Sequence, residues 1–224
     1  MSSLKYEKRI LNRDYCILSK GHGCLALYAL LADKGFFSSS LLDTFCQKNS
    51  LLGGHPESKV PGVEWPTGSL GHGLAVGVGL AIATRMQKRD NKIFVILGDG
   101  ESNEGSIWEA AMSAAKHQLS HLTVIIDYNQ LQSYGATEIV LSLEPFLDKW
   151  TSFGFSVFET NGHDINSLRK TFLSAEKETH KPKAIICHTV KGKGLSIAED
   201  NLKWHHKSKL TDTELTAINQ MLLE

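Results

Sequence analysis

Four short apolar runs limit what this chain can fold into: KIFVIL at 92–97, LTVIID at 122–127, FSVFET at 155–160 and AIICHTV at 184–190. The first is continuous and holds β-branched residues, the pattern of a parallel strand buried on both faces, and the others read as further strands of the same sheet. Helical patterns separate them: SIWEAAMSAAKHQ follows the first, and amphipathic INSLRKTFLSAEKE at 165–178 follows the third. Alternating strands and helices predict an α/β fold, a mainly parallel sheet flanked by helices. Upstream, CLALYALLAD at 24–33 reads as a helix stopped by Gly35. SSSLLDTFCQ at 38–47 reads as a second helix with serine capping signals, and 70–87 as a helix rich in small residues. Residues 48–69 are broken by Gly53, Gly54, Pro56, Pro61, Gly62, Pro66 and Gly68 and read as loop.

The chain has 224 residues, which fits one large domain over 1–224. A chain of this length buries roughly 70% of its unfolded surface. Twenty-four basic residues balance twenty-four acidic ones, so there is no basic footprint for nucleic acid and no polybasic membrane signal. An anionic ligand must be held by local arrangement. Cys16, Cys24, Cys46 and Cys187 form no C-x-x-C pair, which argues against a zinc site or redox pair. The opening MSSLKYEKRILNRD is too charged for a signal peptide. LAVGVGLAIA at 74–83 is too short to cross a bilayer, which takes about 20 residues. The expected setting is cytoplasmic.

The sharpest local feature is GDGESNEG at 98–105. Asp99 ends one expected strand, and Asn129, in DYNQLQ, follows another. If those strands are neighbours, both residues reach the C-terminal edge where open α/β sheets bind ligands. Gly98 and Gly100 allow backbone approaches that a Cβ would block. A carboxylate and an amide oxygen suit Mg²⁺ or Ca²⁺, and Mg²⁺ prefers few protein ligands plus phosphate oxygens. A helix beginning near Ser106 would add free N–H groups. The tripeptide alone reads as an ordinary turn; together with the second strand and its Asn it reads as a metal-bridged phosphate site.

These residues also carry a resemblance. GDGESNEGSIWEAA…DYNQ is similar to the diphosphate-binding signature of thiamine-diphosphate enzymes, and its form with Glu104 and Glu109 resembles the transketolase family. SKGHG at 19–23, GGHPE at 53–57, PGVEWPTGSLGHGL at 61–74, and TVKGKG followed by WH over 189–205 match in the same order. The resemblance implies the diphosphate-binding domain of the thiamine-diphosphate fold. It implies that Asp99, the Asn129 side chain and the Leu131 carbonyl hold Mg²⁺ or Ca²⁺, and that Gly100 and Asn129 face the diphosphate. Gly68, Ser69 and Leu70 would line the aminopyrimidine. Glu104 and Glu109 would join a buried glutamate network at a subunit interface. Glu101 is left without a role.

The resemblance further implies a split enzyme. The glutamate that activates thiamine diphosphate belongs in the family to a pyrimidine-binding domain, for which 224 residues leave no room. That domain is expected on a C-terminal partner subunit, the two forming a heterotetramer. Relatives also carry an upstream helical segment with a Ser-Gly-His motif whose histidine touches substrate, and this sequence begins just before SKGHG without it. His206 stands where many relatives have glycine.

His22, His55 and His205 each sit in a matching block. The resemblance implies that they reach the diphosphate and donor sugar near the reacting carbon, His22 and His205 also binding cofactor. Histidine suits that place because it can donate to an oxyanion or carry a proton near neutral pH. His72, in GHG, reads as structural: its helix packs through Gly71, Gly73, Gly77 and Gly79, and G-x-G-x-x-G is not completed at Val76. His117 and His121 read as surface residues, while His163, His180 and His188 receive no role. Lys191 and Lys193 read as part of a mobile loop. The activity implied is transfer of a two-carbon ketol unit from a ketose, commonly phosphorylated, to an aldose. A thiamine-dependent 2-oxoacid dehydrogenase or decarboxylase subunit, or a non-catalytic paralogue that only binds its partner, is the alternative.

Overall fold

The computed structural model describes residues 13–207 and 209–223. The charged opening at 1–12 lies outside them. β1 (Tyr15–Leu18) is the first described element, followed by α1 (Cys24–Asp33). A long loop with one 3-10 turn (Ser39–Thr44) leads to α2 (Gly73–Met86), β2 (Ile93–Gly98), α3 (Gly105–Lys116) and β3 (Leu122–Tyr128). A small hairpin, β4 (Leu131–Gln132) with β5 (Gly135–Ala136), runs into α4 (Thr137–Leu141) and α5 (Phe146–Ser152). β6 (Ser156–Asn161), α6 (Ile165–Ala175), β7 (Lys183–His188) and α7 (Asp212–Met221) complete the order.

Five strands form one sheet, in the order β1-β2-β3-β7-β6, and every neighbouring pair is parallel. The strands bury both faces with period two. Leu122, Val124 and Ile126 of β3 and Ala184 and Ile186 of β7 point into the large core beneath α2, α3 and α5. Ile125, Ile185 and Cys187 point the other way, against Leu168, Phe172 and Ala175 of α6. That is why these stretches read as apolar runs. α3 buries Ile107, Ala110, Ala111 and Ala114, the i, i+3, i+4, i+7 stripe of a helix on a core. α2 lies close on β2 at Gly77, where a Cβ would collide with Val95.

The expectations need correction in several places. SSSLLDTFCQ yields only the 3-10 turn. Ser38 does cap it, accepting from the Ser40 N–H at 3.4 Å, but Cys46 and Asn49 take positive φ and prevent continuation. The 70–87 helix starts at Gly73, because Gly71 is left-handed at φ +85°. Gly79 packs against nothing. β1, the hairpin, α4, α5 and α7 were not anticipated. The four cysteines are free thiols. No described helix is long and apolar enough to cross a membrane.

Candidate active site

β2 and β3 are neighbours in register, with Gly98 opposite Asp127. Asp99 and Asn129 therefore leave the same edge. Asp99 is only 1% exposed. Its Oδ1 accepts from the Gly100 N–H at 2.7 Å and its Oδ2 from the Gln130 N–H at 2.5 Å. Asn129 is buried beside it, and its Oδ1 accepts from the Leu131 N–H at 3.0 Å. Burial lifts the Asp99 carboxyl from 3.8 to about 6, against those two N–H donors and Lys20, with the Asp127 charge adding to the rise.

The Gly100 N–H belongs to a 3-10 turn, Gly100–Asn103, which Asp99 caps. α3 begins after that turn, at Gly105, next to the expected start near Ser106. At Gly98 the nearest protein atom to a Cβ is the Glu101 Cβ at 4.0 Å, whereas at Gly100 a Cβ would lie 2.9 Å from the Gln132 Cβ.

Lys20 was missed by sequence reasoning. It lies between β1 and the Gly21–Gly23 turn and forms an ion pair with Asp127 at the end of β3. Thr189, just past β7, donates its hydroxyl to the same carboxylate. Three strand ends are thus tied together. Burial pushes Asp127 up, but Lys20 and Thr189 more than reverse it and leave it low. A lysine two residues before His22 in SKGHG, and an Asp two residues before Asn129, were the available signals. Lys191 is half-buried and held low by its burial and by repulsion from Lys20, with Asp127 and Asp99 opposing. It belongs to this cluster of charges.

The three histidines do converge. The His22 and His205 rings lie 6.4 Å apart, and His55 is close enough to act on His22. His22 keeps part of its surface open, yet burial of the rest, then Lys20, Lys191, His205 and His55, push it down to about 4. Burial, Lys191, His206 and Lys20 do the same to His205. Both rings are neutral at pH 7 and offer N–H donors to an anion. The His55 ring covers Gly68, where a Cβ would come within 3.3 Å of it. Thr67 holds the start of that loop by donating to the Leu18 carbonyl at 2.7 Å.

Tyr28, buried in α1, donates its hydroxyl to the main-chain carbonyls of Gly53 at 3.0 Å and His55 at 2.8 Å. Tyr28→Phe should lower stability by about 1 kcal/mol, read as a fall in the urea midpoint without a change in slope. An unchanged midpoint would show that the His55 loop is held by packing alone.

Other expected residues separate. His72 is exposed, its Nδ1 donating to the Leu70 carbonyl at 3.0 Å. His121 is half-buried rather than superficial, its Nε2 bonded to the Ala81 carbonyl at 2.8 Å, while His117 is exposed. His163 accepts from the Val190 N–H at 2.7 Å. Glu104 and Glu109 are both exposed on this chain, so the buried glutamate network does not exist within it.

Among the described residues no three His, Cys, Asp or Glu side chains are grouped to hold a metal. A cation at Asp99 has one carboxylate and must rely on amide, main-chain and ligand oxygens, the set that suits Mg²⁺ with a phosphate. The residues fit such a pair. The buried Asp99 charge gains a countercharge, and Gln132 Nε2 and His205 Nδ1 are buried without a partner among the described residues. A cleft of about 1020 Å³ opens beside this edge over β3, β6 and β7, with Asn129, Gln130, Leu131 and Thr189 on its wall; Asp99 and His22 do not line it.

A parallel-sheet edge that sets a buried carboxylate among lysines and neutral histidines has the chemistry to receive an anion. A family profile described as "Transketolase, thiamine diphosphate binding domain" matches residues 3–222. The chain belongs to the transketolase family. It is 50% identical over 194 residues to an apulose-4-phosphate transketolase subunit of Phocaeicola vulgatus, covering 87% of this chain and 69% of that protein. It is 44% identical over 201 residues to the 6-deoxy-6-sulfo-D-fructose transketolase subunit SqwG of a Clostridium species, covering 89% and 73%. The crystal structure of Campylobacter jejuni transketolase superposes with a TM-score of 0.89 at 32% identity, covering 97% of this chain and 36% of that one. The chain thus spans about a third of the length of that solved enzyme.

Proposed function

We propose that this chain is the N-terminal, diphosphate-binding subunit of a split transketolase, residues 1–224 forming one domain. It transfers a two-carbon ketol unit from a ketose, commonly phosphorylated, to an aldose together with a C-terminal subunit that carries the pyrimidine-binding domain, in a cytoplasmic heterotetramer. The observation that carries the reading is the pairing of β2 with β3, which sets Asp99 beside Asn129. Relatives named as transketolase subunits support it over a 2-oxoacid dehydrogenase.

Asp99, the Asn129 side chain and the Leu131 carbonyl hold Mg²⁺ or Ca²⁺. Gly100, Asn129, His22 and His205 meet the diphosphate, with Lys20 and Lys191 supplying positive charge nearby. Gly68, Ser69 and Leu70 line the aminopyrimidine. His22, His55 and His205 reach the donor sugar, where neutral imidazoles donate to its oxygens and shuttle protons. Glu104 and Glu109 face the partner. Bound thiamine diphosphate supplies an electron sink for the two-carbon fragment.

The test is native mass spectrometry of the chain drawn gently from its source, followed by assay of what copurifies. The expected result is a second chain in equal number with thiamine diphosphate, a divalent ion and ketol transfer between sugars. A homo-oligomer without cofactor, or turnover of a 2-oxoacid in place of a ketose, would overturn the reading.

A further inference from the structure

We infer that Glu101 is a positioning residue, its carboxylate holding the loop that carries Gly68–Leu70 and ends at Gly71 in place over the ends of β1 and β2. The inference rests on the thiamine diphosphate reading above. Glu101 follows Asp99 by two residues yet turns away from the edge, and it is 2% exposed. Its Oε1 accepts from the Ser19 hydroxyl at 2.5 Å and the Gly71 N–H at 2.8 Å, and its Oε2 from the Gly98 N–H at 3.2 Å. Ser19, itself fully buried, accepts from the Gly73 N–H at 3.2 Å, which leaves its own proton for Glu101. Every group facing Glu101 is therefore a donor.

Three stretches of the chain meet on this one side chain: the end of β1 at Ser19, the loop into α2 at Gly71 and, through Ser19, at Gly73, and the end of β2 at Gly98. Gly71 is gripped from both sides. Its N–H goes to Glu101 and its carbonyl accepts from the Ser106 hydroxyl at 2.9 Å. At φ +85°, with Glu104 and Ser106 crowding the place of a Cβ, it cannot carry a side chain. The loop it ends is the one set against the aminopyrimidine. The diphosphate side, by contrast, rests on Asp99 and Asn129, which Glu101 does not touch, and on Lys20 and His22. The segment carrying those two is held independently by the Ser19 N–H donating to the Ile96 carbonyl at 2.9 Å and by the Lys20–Asp127 ion pair. An acid is needed rather than an amide. Glutamine in either orientation aims its NH₂ at a main-chain N–H, at Gly98 or at Gly71.

The test compares wild-type and Glu101→Gln protein, with the partner subunit where the two copurify, using two probes with Mg²⁺: thiamine diphosphate and inorganic pyrophosphate. The variant should bind thiamine diphosphate about tenfold more weakly and pyrophosphate within about twofold of wild type. Exchange of the Gly71 and Gly98 amides should quicken about tenfold or more, with the Val124 and Ile126 amides of β3 unchanged. A residue that only supports stability would lower the melting temperature without moving the ratio of the two affinities. Equal weakening of both probes, no weakening of either, or unchanged exchange at Gly71 overturns the inference. If Glu101→Gln does not fold, Ser19→Ala removes one of the donors and should shift the same ratio to a smaller degree; an unshifted ratio overturns it. If wild-type protein binds neither probe, the cofactor reading fails, and amide exchange still decides the role of Glu101.

Discussion

Asp99→Ala should abolish cation-dependent binding of thiamine diphosphate, an affinity loss on the order of 100-fold or more, or at least about 2.7 kcal/mol. Among the described residues Asp99 is the one carboxylate the site offers a metal, since Asp127 is committed to Lys20 and Thr189. The folded protein should survive the change. The side chain is a buried charge that burial drives up to about 6, so its removal offsets the loss of the acceptor for two main-chain N–H groups, those of Gly100 and Gln130. Differential scanning calorimetry with and without Mg²⁺ and cofactor separates the effects: wild type should show a ligand-induced rise in melting temperature, and the variant none. A chelator-sensitive rise retained in Asp99→Ala would place the metal elsewhere. The pH dependence has opposite signs for binding and folding. The folded carboxyl takes its proton near 6 and the unfolded one near 3.8, so the Asp99 contribution favours the fold as pH drops through that window and opposes it above. Over the same window the proton competes with the cation, and affinity should fall up to about tenfold per pH unit below about 6.

Lys20→Met should cost on the order of 2–3 kcal/mol at neutral pH, because it leaves Asp127 partly buried with Thr189 as its main support. The side chains are 13% and 28% exposed, so the figure is taken below that for a fully buried pair. Asp127 is held below the ordinary carboxylate range in the fold. Its stabilisation is present above about 3.9, the unfolded value, and is lost as pH falls through the lower folded value. Urea unfolding of wild type and Lys20→Met should therefore differ most near pH 7 and converge in acid. A gap of the same size at both pH values would mean that Lys20 acts through packing of its aliphatic stem.

Much of the fold was legible because a doubly covered parallel sheet writes continuous apolar runs into the chain. β2, β3 and β7 were found to within two residues for that reason. β1 was not, since YCIL is four residues long at an edge and sits inside a motif that drew attention for its histidine. The 38–47 helix failed because capping signals mark a start and cannot supply the length, and backbone turns at Cys46 and Asn49 stop it. α7 is amphipathic but buries no residue on this chain, so no packing signal marks it. In the site, Asp99, Asn129 and the three histidines were readable as residues next to strand ends or glycines. Lys20, Asp127 and Glu101 were not, because each acts through a partner at least 30 positions away, and only the register of the sheet says which partner.

The strand order has a consequence for when the site comes into being. β6 pairs only with β7, and β7 slips between β3 and β6 although it follows both in sequence. During synthesis β6 must therefore wait without a neighbour until β7 emerges and closes the gap. The same arrival brings Thr189 to Asp127 and is followed by Lys191 and His205. The site closes late in the chain, and a ribosome-bound fragment ending before β7 has Asp99 and Asn129 but neither the closed sheet nor the full ring of positive charge. On the proposed reading, cofactor loading falls after translation of this strand.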